Sequence, residues 1–533
     1  MILALIAFAS ADPSALYGVH GDAWDRTGRL PDYSYAGYHA GEAPLPDVPV
    51  VTQAADFGAQ PDDGEDDTAA IQAALDATED GAVELLAGTY TLDGGLRIEH
   101  SNVVLRGQGE STVLQFNRSL SEVRGPAAQW SWQGGLIWVE PTANPTALTD
   151  VSSPAERGAT QLTVASTEGI EAGQLVVLSL VDNGDGSLGR HLHNDQFDGG
   201  DCDYQVPLTL DWPVFVASVD DATHLTLAQP LRTDARAEWS PALRSHPHLH
   251  DVGIEHLSLR FPDVPYAGHL DEPGYNGVFF QRGVVDSWVR DVTMHNADNG
   301  VLIDRLAKRN TVSGLTLAGR KGHHGLNIAF AADGLHQDLH FGADFVHHIT
   351  VDHRANGNVF KRVSGEMQVH LDHHRDSPFE NLFTDFTAET SFFHGGNLCA
   401  GNPAGARETM WGLPGPLLPP YWGAAQANTV GELTLDDSLT DEREWVENVV
   451  DLRPRDLHAD QLALRLGEPW EDTAVPGDTS PPEDPPATGG CACDAGSAPR
   501  VGWAALLLLG LSRTRTWRRA PGRPRRTPRS SHR

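Results

Sequence analysis

Residues 56–78 read DFGAQPDDGEDDTAAIQAALDAT. A Gly/Asp-rich turn is followed by a short amphipathic pattern. Ile71, Ala74 and Leu75 fall at helical spacing, and Asp67 stands where an N-cap is expected. Directly after come GAVELLAGTYTL (81–92) and LRIEHSNVVLRGQGESTVLQF (96–116), short β-rich runs punctuated by Gly and Asn. One short helix followed by many short strands predicts a coil of strands whose open end the helix covers, protecting it from edge pairing.

The pattern returns downstream in WVRDVTMHNADNGVLI (288–303), NTVSGLTLAGRKGHHGLNI (310–328), FVHHITVDHRANGNVF (345–360) and NLFTDF (381–386). Val292 to Leu315 spans 23 residues, about one coil, whereas Leu315 to Ile349 spans 34, which predicts an inserted loop there. Stacked coils bring polar residues that follow a strand into one groove, even when they are distant in sequence. Residues 151–240 read differently. GATQLTVASTEGIEAGQLVVLSL (158–180) and PVFVASVDDATHLTLAQPL (213–231) alternate with hairpin-like turns, as in a small inserted β-subdomain or barrel. Its loop DNGDGSLGRHLHNDQFDGGDCDY (182–204) has a composition that suits calcium, without EF-hand spacing, or a plain solvated loop.

DFGA, DDT, AIQAALDA, AGTY and VVLRGQG together resemble the pectate-lyase-like superfamily. That resemblance implies an all-β fold: a right-handed parallel β-helix (solenoid) with an N-terminal capping helix and, here, an inserted small β-subdomain. It implies polysaccharide lyases, glycoside hydrolases, epimerases or phage tailspikes as functional relatives without choosing among them. LPDYSYAGYHAGEAPLPDVPV, GHHG, GNVF, DHHRDSPFENLF, GARETMW and LHADQLALRLG extend a likeness over about residues 30–470 to a bacterial family of secreted β-helix proteins, which speaks to fold and location rather than chemistry.

The two ends read as addresses. An apolar run and the small-x-small pattern Ala9-Ser10-Ala11 make residues 1–11 a signal peptide, although a basic start is missing. A Pro-rich acidic linker (471–490) leads to Cys491 and Cys493, an apolar run over 501–511 about half the ~20 residues a membrane helix needs, and an Arg-rich tail. That order resembles the C-terminal sorting signals of myxobacterial surface proteins, which implies processing and anchoring at Cys491 or Cys493 within 491–533. The expected layout is therefore an N-terminal arm (12–47), the first part of the β-helix with its capping helix (48–150), the insertion (151–240), and the main β-helix with a C-terminal extension (241–470). The expected location is the outer surface of a Gram-negative, myxobacterial-type cell, with membrane contact only through the anchor. A Cys202–Cys399 disulfide and the oligomeric state stay open.

The chain of 533 residues carries a formal charge of −35, and −44 once the nine arginines of its last 21 residues are set aside. Such an acidic body argues against nucleic acid as a partner and weakly against a polyanion, unless a basic groove overrides the average. Lysine occurs only at Lys308, Lys321 and Lys361.

Sixteen of the 25 histidines fall between His246 and His374, so the candidate site is sought there. Asp298, His324, Asp372, His373 and Arg375 are the candidate catalytic set. Glycoside hydrolysis needs two carboxylates, and β-elimination needs a base with a positive group or metal near the uronate. Tyr266, His269, Tyr275, Asn276, Asn296, His323 and Arg407 are candidates for substrate binding, since Tyr and Trp rings suit sugars. Asp372 and His374 share a strand face while His373 does not, so a divalent metal, calcium or zinc, would need ligands from other coils such as His323 or His324. The competing explanation is structural: Asp and Asn at β-helix turns cap backbone groups, and stacked histidines bond one another's coils. HLDHHRDSPFENLF (370–383) is expected to end one coil and begin the next, with Pro378 at the bend. The expected function is a secreted, surface-anchored polysaccharide-active enzyme, leaning to hydrolase over lyase. The alternative is a non-catalytic surface protein that binds glycan or mediates adhesion.

Overall fold

The computed structural model describes residues 13–195, 208–393, 404–414, 425–432 and 445–468. These lie in the first of two compact units, 1–473; the second, 474–533, falls outside the described residues. So do the signal peptide, Cys202, Cys399, Tyr421, Trp422, and Cys491 with Cys493.

Gly, Asn and Asp break the chain into short strands that stack parallel, coil on coil. One face is a fourteen-stranded sheet running from Val50–Gln53 to Trp445–Asn448, and a second face is an eight-stranded sheet from Leu96–Ile98 to Thr390–Phe393. The third face is thin: Leu249–His250 pairs with Val284–Val285, and single bridges continue through Lys308, Ala332, Asn356 and Phe379. This is a right-handed parallel β-helix. Trp288, Thr311, Leu335, Val359 and Leu382 stack in register, which sets a coil of 23 or 24 residues.

Val292 does pair with Leu315. The loop expected between Leu315 and Ile349 is corrected: Ile349 pairs with Leu326 on the second sheet, so the 34-residue interval crosses from one face to another. Two whole strands lie inside that interval, Gly322–Ala329 and the unexpected Leu335–Phe341, LHQDLHF, in which His336 is buried and the polar look hides the alternation. HLDHHRDSPFENLF behaves as a coil boundary, with strand Val369–His373 on the second sheet, a bend, Phe379 on the third face and Leu382–Phe386 on the long sheet.

Ile303, Leu326, Ile328, Ile349, Val351 and Leu371 belong to one continuous core. Truncating such a side chain to Ala typically costs about 2–5 kcal/mol. A buried amide ladder locks the coils on the third side. Asn358 Nδ2 donates to Asn381 Oδ1 (2.9 Å), and Asn381 Nδ2 to Glu408 Oε1 (2.8 Å). Helix Thr68–Ala77 buries Ile71, Ala74 and Leu75 in the same core. Its N-cap chemistry differs from expectation. Asp67 turns its carboxylate back to accept from Gln60 N (2.8 Å), and Asp66 Oδ1 takes the Thr68 N–H (3.0 Å).

The insertion is a six-stranded antiparallel sheet in the order Thr146–Asp150, Ala242–Ser245, Leu175–Val181, Thr209–Val219, His224–Leu227, Gln161–Thr163. Its first and last strands meet through Ser152 N to Thr163 O (2.8 Å) and Ala165 N to Asp150 O (2.9 Å), which closes a barrel. Its core includes Ala332 and Phe379 from the coils. Beside that join, Glu380 accepts from Arg157 Nε (2.8 Å), Arg407 Nε (2.7 Å) and Arg232 Nη1 (3.3 Å), while Asp333 pairs with Arg232 and Lys308. In the described part of the 182–204 loop, Asp182 accepts from the backbone of Gly184, Gly186 and Leu188 and so holds the turn.

Tyr17, Leu30 and Tyr33 of the N-terminal arm pack with Val359, Leu382, Trp411 and Val430 outside the long sheet. Helix Leu457–Leu466 joins them there: Tyr33 N donates to Gln461 Oε1 (2.8 Å), and Gln461 Nε2 to Pro31 O (3.0 Å). Trp288, packed edge-on against Tyr38, and Trp411 are fully buried, so neither is a sugar platform. Among the described residues no helix is long and apolar enough to cross a membrane.

Candidate functional site: a histidine cluster and an arginine-lined cleft

Strands Gly322–Ala329 and Phe345–Asp352 lie side by side in the second sheet, with His324 opposite His347. His323 precedes His324, and the polar loop after Phe261 brings in His269. Ring centroids are 4.7 Å apart for His269 and His323, 5.3 Å for His323 and His347, and 5.0 Å for His324 and His347. From the next coil Asp372 Oδ2 lies 3.1 Å from His347 Nδ1 and 3.2 Å from His374 Nδ1. His323 Nδ1 donates to Ser131 O (2.7 Å) and His324 Nδ1 lies 2.9 Å from Thr350 Oγ1. Burial, and then the neighbouring imidazoles, push His323 down to about 3 and His347 to about 2, so both rings are neutral at physiological pH. Burial raises Asp372. For His374 burial opposes the charge, but the Asp372 hydrogen bond and the Asp352 charge outweigh it, and its pKa rises.

The structure thus brings His269, His323, His324, Asp372 and His374 together around His347, a residue outside the set expected from sequence. Other expected members are placed elsewhere or already engaged. Asp298 accepts from Arg320 Nη2 (2.7 Å), Tyr275 N (2.8 Å) and Gly274 N (3.2 Å), so its carboxylate fastens a loop. Asn276 donates to Trp130 O (2.9 Å) and Gly134 O (3.0 Å), and Asn296 to Phe261 O (3.2 Å). Tyr266 donates to Glu272 Oε1 (2.5 Å), and the Arg320 guanidinium lies 5.9 Å from the Tyr275 ring. His373 turns inward, 3.5 Å from Glu408 and against Phe383. Arg407 is buried in the Glu380 ion cluster at the barrel join. Arg375 follows the Val369–His373 strand, and its carbonyl accepts from His353 N (3.0 Å).

At the C-terminal ends of the same strands opens a cleft of about 680 Å³, between the coil turns and the barrel strand Thr209–Val219. Arg282, Arg305, Arg354, His246 and His353 line it, against one acid, Asp211. The wall is rich in arginine, and each guanidinium also faces an acid outside the lining: Arg282 Nε lies 3.2 Å from Glu140, Arg305 Nε 3.7 Å from Asp304 and Arg354 Nη1 3.4 Å from Asp376. The turns that carry these side chains are left-handed at Arg282 (φ 60°), Arg305 (φ 42°), Phe330 (φ 52°) and His353 (φ 44°). Non-Gly residues hold that region only where the surroundings over-determine it. Here the coils do so by stacking: Arg282 N donates to Asp304 O (3.2 Å), and Arg305 N to Ala329 O (3.1 Å). Phe330 is the shared prop, with guanidinium carbons of Arg305 and Arg354 4.6 and 5.0 Å from its ring and His353 stacked on it at 4.5 Å.

Behind that lining, next in sequence to Arg305 and His353 but not part of the cleft wall, the buried Asp304 and Asp352 are joined through Ala329 as successive rungs of one ladder. Two strand spacings put the two aspartate backbones roughly 9–10 Å apart. Burial pushes Asp304 up to about 6, against the pull of Arg305 and His353, and its Oδ1 is buried without a hydrogen-bond partner. Burial also opposes ionisation of Asp352. There the adjacent His353, whose Nδ1 lies 2.7 Å away, outweighs it and lowers the pKa. Asp352, His353 and Arg354 lie in the quoted stretch 345–360, inside the histidine-rich region, whereas Arg282, Asp304 and Arg305 are not among the residues expected from sequence. The signal for them is a 23-residue repeat of the turn after each second-sheet strand, Gln281-Arg282 then Asp304-Arg305, visible only once the coil length is known.

Residues 51–134 match the family model described as rhamnogalacturonase A/epimerase, pectate lyase-like. No curated protein matches the chain. Among solved structures it is similar to the tailspike protein gp49 of Pseudomonas phage LKA1, at 13% identity over 75% of this chain and 78% of that one, with a TM-score of 0.43. It is also similar to a family 28 exopolygalacturonase of Yersinia enterocolitica (14%; 76% and 64%; 0.31) and to the A-module of the mannuronan C-5 epimerase AlgE6 of Azotobacter vinelandii (13%; 76% and 100%; 0.32). At such identities and scores these likenesses carry no argument about activity.

Proposed function

We propose that this protein is a glycan-active β-helix enzyme that hydrolyses an acidic polysaccharide in the arginine-lined cleft. The observation that carries the reading is the Asp304–Asp352 pair, two carboxyls on one ladder with pKa values displaced in opposite directions. Such a split assigns roles: the group held protonated acts as the acid and the ionised one as the base. Asp304 protonates the leaving glycosidic oxygen. Asp352, oriented by His353, takes a proton from the attacking water. Two rungs of the ladder separate them, and an inverting mechanism needs such room for the water between its carboxyls. Arg282, Arg305 and Arg354 suit uronate carboxylates, which a guanidinium grips bidentately. The family-model match over the first coils supports a carbohydrate substrate. The export and surface-anchoring signals expected at the two ends support a cleft that works where extracellular glycan is met.

The test is to incubate the purified protein with acidic and neutral polysaccharides and follow both reducing ends and the ultraviolet absorbance of unsaturated products. New reducing ends without that absorbance establish a hydrolase. Absorbance in step with reducing ends replaces the assignment with β-elimination. Binding to acidic glycan without cleavage replaces it with the surface-binding role. Location is tested separately, by protease shaving of intact cells and by replacing Cys491 and Cys493 with Ser.

A further inference from the structure

The histidine cluster is not used by the cleft chemistry, and its construction has a purpose of its own. His269, His323 and His347 each offer a ring nitrogen, all within 4.8 Å of one another, and His347, Asp372 and His374 form a second such group around the same His347. Packing three or four imidazoles against one another at a buried site contributes little as hydrophobic core. Buried polar atoms are expected to find partners. Yet His323 Nε2 and Asp372 Oδ1 are buried without a hydrogen bond.

The polar contacts on the far side of the rings follow the logic of metal ligation. A ligating histidine commonly donates its other N–H to a carbonyl or carboxylate, which fixes the tautomer and aims the free nitrogen. His323 Nδ1 donates to Ser131 O at 2.7 Å, leaving Nε2 as the lone-pair nitrogen. His347 Nδ1 lies 3.1 Å from Asp372 Oδ2, the carboxylate–histidine arrangement. Asp372 is itself tied to Thr350 Oγ1 (3.3 Å) and His374 (3.2 Å). His269, which stands exposed on the loop, approaches edge-on and closes the third side.

We infer that His269, His323 and His347 bind one divalent first-row transition ion of the zinc class, oriented by Ser131 and Asp372. The donor set decides the class: neutral imidazoles suit Zn²⁺ and its neighbours, whereas Ca²⁺ takes six to eight oxygens. Three protein ligands with one on the exposed side leave a fourth position for water or a ligand. The inference is independent of the hydrolase reading, since neither Asp304 nor Asp352 belongs to the set.

The test strips the full-length protein with chelator and dialyses it against Zn²⁺ in the presence of excess Ca²⁺. Bound metal is then measured by elemental analysis, and the visible spectrum is recorded after Co²⁺ loading. The expected result is one zinc per chain, unaffected by calcium, with the ligand-field bands of low-coordinate cobalt. His269→Ala, at an exposed position, is expected to weaken zinc binding more than tenfold at unchanged circular dichroism. Asp372→Asn should weaken it about 10–100-fold, the usual weight of an orienting partner. His250→Ala, a histidine outside the cluster, should change nothing. Less than a tenth of an equivalent of zinc in the wild-type protein, or full retention in His269→Ala, overturns the site.

Discussion

Asp304 and Asp352 stand on one ladder of the second sheet with Ala329 between them, and their carboxyls are driven in opposite directions, one up to about 6 and the other down. Two like residues in equivalent positions differ because Asp352 has the adjacent His353 at 2.7 Å, whereas at Asp304 the pull of Arg305, at 3.7 Å, and of His353 does not outweigh burial.

Replacing either carboxyl removes a proton-transfer partner, which is typically worth about 10²–10⁴ in rate. Asp304→Asn and Asp352→Asn should therefore each lower kcat on acidic glycan by that order with intact circular dichroism, while Asp298→Asn should act through stability. A cleaving Asp304→Asn variant of near wild-type kcat would take Asp304 out of the reaction.

The activity of a protonated acid falls as it ionises. Because Asp304 holds its proton to about pH 6, the alkaline limb of kcat should have its midpoint near that value. The raised pKa also has a stability sign. Between the unfolded carboxyl value of 3.8 and about 6, the folded state binds the extra proton, so stability falls as pH rises through that window and is level above it. Asp304→Asn should abolish the fall and stabilise the fold at pH 8 by roughly 2–3 kcal/mol, since each pH unit of the window corresponds to about 1.4 kcal/mol. Urea unfolding at pH 4.5 and pH 8 measures both.

Arg282 and Arg305 are about half exposed at the cleft wall and hold no catalytic proton. Arg305→Gln should raise KM for an acidic glycan about tenfold, equivalent to ~1.4 kcal/mol, while leaving kcat nearly unchanged. The loss should shrink at high salt, as a screened surface contact does. An equal effect on a neutral glycan would show that Arg305 reads shape and not charge.

Glu380 is completely buried among Arg157, Arg232 and Arg407, and although burial opposes its charge those guanidiniums hold it down to about 2. Removing one side of a buried ion cluster strands the other, at about 3–5 kcal/mol. Glu380→Gln should cost that much and loosen the barrel from the coils. Here the folded pKa lies below the unfolded 4.5, so the stabilisation is complete above pH 4.5 and drains as pH falls toward 2. Acid unfolding of the wild type should steepen in that range and flatten in the variant.

Much of the fold is legible because it rests on local pattern. The helix over Thr68–Ala77, the 23-residue coil from Val292 to Leu315 and the separate character of the insertion all follow from periodicity and turn residues. The strand Leu335–Phe341 escapes because His336, Gln337, Asp338 and His340 disguise a buried alternation. The density of histidines points to the right region without sorting its members. His336 and His373 are buried coil residues, and Arg407 serves the barrel join.

The sequence by itself determined short strands with apolar faces, punctuated by Gly/Asn/Asp turns, that must bury those faces against one another. Which side chains meet was decided by register. A one-residue shift reverses every side chain of a strand, and a one-face error moves it to another wall. Only the tertiary structure placed His269 of a loop against His323 and His347, and set Asp304 and Asp352 on one ladder behind the arginines. Those meetings depend on backbone hydrogen bonds between residues 23 or more positions apart.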